Sequence, residues 1–265
     1  MNLSVFPTAH DAAVALADHI AGALRTKPDL VLGLPTGRTP VQLYRELAAL
    51  TERHAVDFSQ TTTFNLDEFL GLRPDDPASY CRYMERHLFR KINIDRERIY
   101  FLDGSAPDPE AECARYERAI REVGGVDLQI LGIGSNGHIG FNEPGEWLMA
   151  RTHRVTLRPE TRRANAALFG GDAGRVPAEA LSMGMATILR ARSIVLLATG
   201  VEKAASVERM IHGPITTRLP ASFLQLHADT LVVLDEGAAR KLERRTQKVE
   251  RRTRNGEGES GKRRR

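Results

Sequence analysis

Six apolar runs of strand length punctuate the chain: LVLGL (30–34), TTFNLDEF (62–69), IYFL (99–102), VDLQILGIG (126–134), SIVLLATG (193–200) and TLVVLDEG (230–237). Helical periodicity fills several of the gaps, as in DAAVALADHIAGALR (11–25), PVQLYRELAAL (40–50), PEAECARYERAIREV (109–123) and EKAASVERMI (202–211). Strands that are apolar throughout and alternate with helices need cover on both faces, which a parallel sheet between helix layers supplies. The expected fold is α/β, a Rossmann-like three-layer αβα sandwich with a mostly parallel sheet. No linker or repeat interrupts residues 1–239, so one domain is expected there, followed by a basic extension over 240–265.

That extension accounts for the basic balance. It holds 12 of the 38 Lys and Arg but only 4 of the 34 Asp and Glu, so the body is mildly acidic and the net charge of +4 comes from the tail. The tail is poor in apolar residues and has no aromatic residue among its charges, so a solvated extension is expected rather than a nucleic-acid arm. No apolar run reaches the ~18 residues of a membrane span. The N-terminal stretch lacks the basic start of a signal peptide and has His10, Asp11 and Asp18 within it, so a cytoplasmic protein is expected. Cys81 and Cys113 are far apart and form no C-x-x-C pair, which suggests neither a disulfide scaffold nor a thiolate metal site.

In an open parallel sheet, ligands gather beyond the carboxyl ends of the strands, and unusual sequences follow those ends here. The stretch LGIGSNGHIGFNEPG (131–145) contains Gly132, Gly134 and Gly137 in the G-x-G-x-x-G spacing of a dinucleotide turn. That fingerprint needs its third glycine at the start of a helix. HIGFNEPG, with Gly140, Pro144 and Gly145, argues against a helix there. The alternative is a glycine-shaped loop carrying a proton-transfer pair, His138 beside Glu143. Asp67 and Glu68 close a run read as a buried strand, and strand alternation lets at most one of them face a common ligand. LPTGRTP (34–40), over Pro35, Thr36, Gly37, Arg38 and Thr39, offers an anion backbone amides, the two threonine hydroxyls and a helix N-terminus, with Pro40 opening the helix. Its bland reading is a strand-to-helix turn capped by threonine. Lys203, after ATG, could add a point charge to the same anion.

Taken together and in this order, LPTGRTP, NLDEFLGL, GSNGHIGFNEPG, TGVEKA and LPASFLQLHADTLVVLDE resemble the glucosamine-6-phosphate deaminases, in a family that also holds 6-phosphogluconolactonases. The matching stretches span about residues 30–237. The resemblance implies pyranose ring opening, proton transfer from carbon 2 to carbon 1 and loss of ammonia to give fructose 6-phosphate, with no metal or redox cofactor and a small sugar phosphate as partner. It implies Asp67 as the carbon-2 base, His138 as the ring-opening acid/base and Glu143 as the group that orients it. Asn136 stands where some members have aspartate. Ala167 stands where members usually carry a phosphate-binding arginine, and Arg163 or Arg38 could compensate. EWLMARTHRV (146–155) does not clearly reproduce the basic pattern of activator-binding members. Members occur as monomers and as hexamers, which leaves a homo-oligomer open. Alternative readings are a paralogue acting on another amino sugar or a sugar-phosphate lactone, and a non-catalytic sugar-phosphate sensor using the basic tail.

Overall fold

The computed structural model describes residues 1–242, so most of the basic extension lies outside the described residues. Seven parallel strands form the main sheet: β1 (Asn2–Phe6), β2 (Val31–Leu34), β3 (Thr62–Asn65), β5 (Ile99–Tyr100), β6 (Leu128–Leu131), β9 (Ser193–Ala198) and β10 (Thr230–Asp235). They lie in the order β1-β10-β9-β6-β2-β3-β5. Alternation along the strands divides the core in two. Val195 and Leu197 of β9 join one cluster with Leu32 and Leu34, whereas Ile194, Leu196 and Ala198 join the other with Val31 and Leu131. Helices cover both faces. The first cluster is roofed by α1 (Ala9–Thr26), α2 (Pro40–Glu52) and α3 (Tyr80–His87), the second by α4 (Pro109–Glu122) and α7 (Ala204–His212). Two shorter helices, α5 (Pro159–Asn165) and α6 (Met185–Leu189), lie between α4 and α7 in the chain. This is the expected three-layer sandwich.

Helix starts follow side-chain chemistry. Thr8 and Asp11 form a reciprocal capping box on α1, Ser79 caps α3, and Asp108 caps α4 ahead of Pro109. From β2 the chain winds outward through β3 and β5, then returns to the other side of β2 as β6 and continues to β9 and β10. The reversal between β2 and β6 is the topological switch point at which such sheets open a crevice.

One expectation is corrected. TTFNLDEF is not a single strand: β3 stops at Asn65, and Asp67–Phe69 forms a separate strand, β4. β4 leaves the parallel sheet and pairs antiparallel with β8 (Glu179–Ser182), which also pairs with β7 (His153–Thr156). The cause is local. The Leu66 amide still donates to Leu34 at the edge of the main sheet, while the Met183 amide donates to the Leu66 carbonyl, so the ladder changes partner at that residue. The side sheet holds the chain around Asp67 over the carboxyl end of the main one.

Candidate active site

Four adjacent strands, β9, β6, β2 and β3, deliver the candidate residues to one edge. After β6 the loop is folded by its glycines. Gly137 adopts φ +90° and its amide closes a turn onto the Gly134 carbonyl, while the Gly134 amide donates to the His138 carbonyl at 3.0 Å. At Gly134, a β-carbon would lie 2.4–2.6 Å from the His138 ring. The imidazole therefore sits directly on backbone, which only glycine allows. No helix follows Gly137, so the G-x-G-x-x-G spacing builds a side-chain platform and not a dinucleotide turn.

His138 Nδ1 lies 3.6 Å from Glu143 Oε2, just beyond hydrogen-bond length. Asn136 joins the two: its Nδ2 donates to Glu143 Oε2 at 3.0 Å, and its Oδ1 accepts from the His138 amide at 3.1 Å. An aspartate could not make the first bond to an ionised Glu143, so the amide suits this carboxylate. The Thr161 hydroxyl donates to the other Glu143 oxygen. Burial works to raise the Glu143 carboxyl. His138, then Thr161 and Asn136, outweigh it and hold the group below the usual carboxylate range.

Asp67 faces the same loop. A β-carbon on Gly140 would lie 3.4 Å from Asp67 Oδ2 and 3.2 Å from Ser182 Oγ. Ser182, the partner of Asp67 in the ladder, accepts the Phe141 amide at 3.1 Å. Asp67 is buried, and its Oδ1 has no hydrogen-bond partner among the described residues. Burial, then the neighbouring Glu68 charge, push its carboxyl up to about 8, against a lowering contribution from the Thr36 hydroxyl. Glu68 points the other way, as alternation requires, and accepts the amides of Phe69, Tyr80 and Cys81 at 2.8–3.0 Å. It anchors the start of α3. Asn142 Oδ1 and His138 Nδ1 are also buried without a hydrogen bond among the described residues, the latter having only the 3.6 Å approach of Glu143. Orphaned buried polar atoms are costly, and three of them gathered around residues 67 and 138–142 mark a surface shaped for a polar ligand.

The anion loop lies next to Asp67 through Thr36. Thr39 makes no side-chain capping bond to α2, so the bland reading of a threonine-capped turn does not hold, and the start of the helix is left to Pro40. Carbonyls of the loop are held from behind: the phenol of Tyr44 donates to Pro35 and that of Tyr83 to Gly37. Lys203 enters from the turn after β9, where Asp235 accepts the Gly200 amide at 3.0 Å. Burial holds the Lys203 ammonium below its usual range, against the opposing charge of Glu202, and the charge of Arg38 on the loop lowers it further.

Arg163 is not brought there. It is exposed and pairs with Glu160 at 3.0 Å. The helix that carries it ends at Asn165, and a 3-10 turn (Ala166–Phe169) that holds Ala167 follows. Thr161 was missed from the sequence because an isolated threonine in a helix has no signature.

The sequence model of the family described as glucosamine-6-phosphate isomerases/6-phosphogluconolactonase matches residues 7–233. The chain belongs to that family. It is 50% identical over 220 residues to the glucosamine-6-phosphate deaminase of Halothermothrix orenii, covering 83% of this chain and 91% of that one. It is equally identical to glucosamine-6-phosphate deaminase 2 of Bacillus subtilis, covering 83% and 88%. Among solved structures, a monomeric glucosamine-6-phosphate deaminase superposes with a TM-score of 0.88 at 44% identity, over 91% of this chain and all of that one. A 6-phosphogluconolactonase from Trypanosoma cruzi, at 21% identity and a TM-score of 0.73 over 91% and 96%, shares the fold.

Proposed function

We propose that this chain is a glucosamine-6-phosphate deaminase of amino sugar catabolism, converting glucosamine 6-phosphate and water to fructose 6-phosphate and ammonia. The observation that carries the reading is the meeting of a buried carboxyl, an imidazole–carboxylate pair and a two-cation anion loop at one sheet edge. The roughly 50% identity to deaminases favours it over lactone hydrolysis. In this reading the Pro35–Thr39 loop, with Arg38 and Lys203, holds the phosphate through amides and charge. His138, oriented by Glu143 and Asn136, moves the proton that opens the pyranose. Asp67 takes the carbon-2 proton and returns it at carbon 1, and water then replaces the amine at carbon 2. Burial that keeps Asp67 protonated in the free protein is countered when a substrate ammonium lies beside it, because an opposite charge favours the carboxylate.

The reading places the enzyme in the cytoplasm and assigns it no metal or redox cofactor; no described helix is long and apolar enough to cross a membrane. Purified protein, without added metal, is expected to release ammonia and fructose 6-phosphate in equal amounts from glucosamine 6-phosphate and to leave unphosphorylated glucosamine almost untouched. Comparable turnover of the two sugars would refute the phosphate-loop assignment.

A further inference from the structure

Away from the sheet edge, a surface groove of about 710 Å³ runs between the outer side of α2 and the segment after α3. Arg45 and Glu52 line it from α2, and Arg90, Lys91 and Asn93 from the other wall. The nearby carboxylate of Glu85 is already occupied by Arg90 and Arg96. Arg45 and Lys91 thus line the groove with no ion pair among the described residues, and Glu52 is the single carboxylate in the lining. His87 registers the crowding: burial, then the charges of Arg86, Lys91 and Arg45, hold its imidazole below the usual range. Arg45 and Lys91 together carry more charge than Glu52 offsets, and an anion between them relieves the excess.

Both walls lead to the anion loop. Tyr44, beside Arg45 on α2, donates to the Pro35 carbonyl. On the other side, His87, which feels the charges of Lys91 and Arg45, packs its ring on Tyr83 with centroids 4.4 Å apart, and Tyr83 donates to the Gly37 carbonyl. Drawing the two walls toward a shared anion would therefore act on both ends of the Pro35–Gly37 turn.

We propose that the groove is a second anion site, for a polyphosphate or a phosphorylated metabolite with at least two negative charges, and that its occupancy sets the conformation of the Pro35–Thr39 loop through Tyr44 and Tyr83. The binding half stands on the groove alone; the coupling half rests on the reading that this loop holds the substrate phosphate. Inorganic pyrophosphate serves as the probe, titrated calorimetrically into the wild type, the Arg45→Ser/Lys91→Ser double variant and Lys203→Ala. The Lys203→Ala protein is expected to keep an isotherm that the double variant weakens at least tenfold. With glucosamine 6-phosphate as substrate, pyrophosphate is expected to shift KM at least threefold more in the wild type than in the double variant, and Tyr83→Phe to bind the probe yet lose that shift. An isotherm unchanged in the double variant, or abolished by Lys203→Ala alone, overturns the site. A KM response intact in Tyr83→Phe overturns the coupling. Absence of ammonia release from every protein would remove the deaminase reading while the isotherms still decide the groove.

Discussion

Replacing Asp67 with asparagine separates two consequences of one buried carboxyl. The amide keeps the volume in a position with no room to collapse, between Gly140 and Ser182. If Asp67 is the carbon-2 base, ammonia release falls by ~10²–10⁴-fold, the usual worth of a positioned proton acceptor. Stability moves in the opposite direction. A carboxyl held at about 8 in the fold, against an ordinary 3.8, is protonated when folded and ionised when unfolded across that window. The unfolded chain then binds fewer protons, so stability falls as pH rises, by ~1.4 kcal/mol per pH unit and on the order of 6 kcal/mol over the whole window. The substituted amide has no such proton to lose. Urea denaturation at pH 5, 6 and 7 is therefore expected to show the variant gaining on the wild type by ~3 kcal/mol across the range. In the same wild-type protein kcat/KM is expected to rise with pH through about 8 as the free-enzyme base ionises. Parallel stability curves would refute the burial argument, and ammonia release at the wild-type rate would remove Asp67 from its role.

Two further substitutions probe the remaining parts of the site. Gly134→Ala forces a β-carbon against the His138 ring, and kcat is expected to fall by at least ~10-fold through displacement of a catalytic group; a variant with unchanged kcat would show that the imidazole position is immaterial. If Lys203 holds the substrate phosphate as proposed, Lys203→Ala removes a charge-assisted contact worth ~1.5–3 kcal/mol, so KM is expected to rise ~10- to 100-fold at nearly constant kcat; steady-state kinetics with an unchanged KM would count against the cradle.

The main sheet was legible because β2, β9 and β10 are mainly apolar runs and β6 is broken only by the buried Gln129, a pattern that burial on both faces imposes. The side sheet was not. β7 alternates half-buried with exposed residues and reads as HRVT, with no apolar signal, and β4 is hidden inside an apolar run whose direction changes at Leu66. β1 was overlooked too, since as an edge strand it leaves Leu3 and Val5 exposed. Of the candidate site, the opposed facing of Asp67 and Glu68 followed from strand alternation, and a glycine-shaped loop carrying His138 and Glu143 from the composition of residues 131–145. The support that Thr161 and Ser182 give depends on long-range packing that local sequence does not encode, whereas the Arg163–Glu160 pair is a local i,i+3 contact on an exposed helix face.

The ladder between β4 and β8 bears on how such a protein can diverge. Asp67 is paired with Ser182, and the same serine secures the loop that carries His138, so the two groups proposed to handle protons are aligned by one short strand. The anion cradle instead hangs on separate turns after β2 and β9. Lineages of this architecture can therefore remodel what they grip, even exchange one basic anchor for another, while inheriting intact the spacing on which proton transfer depends.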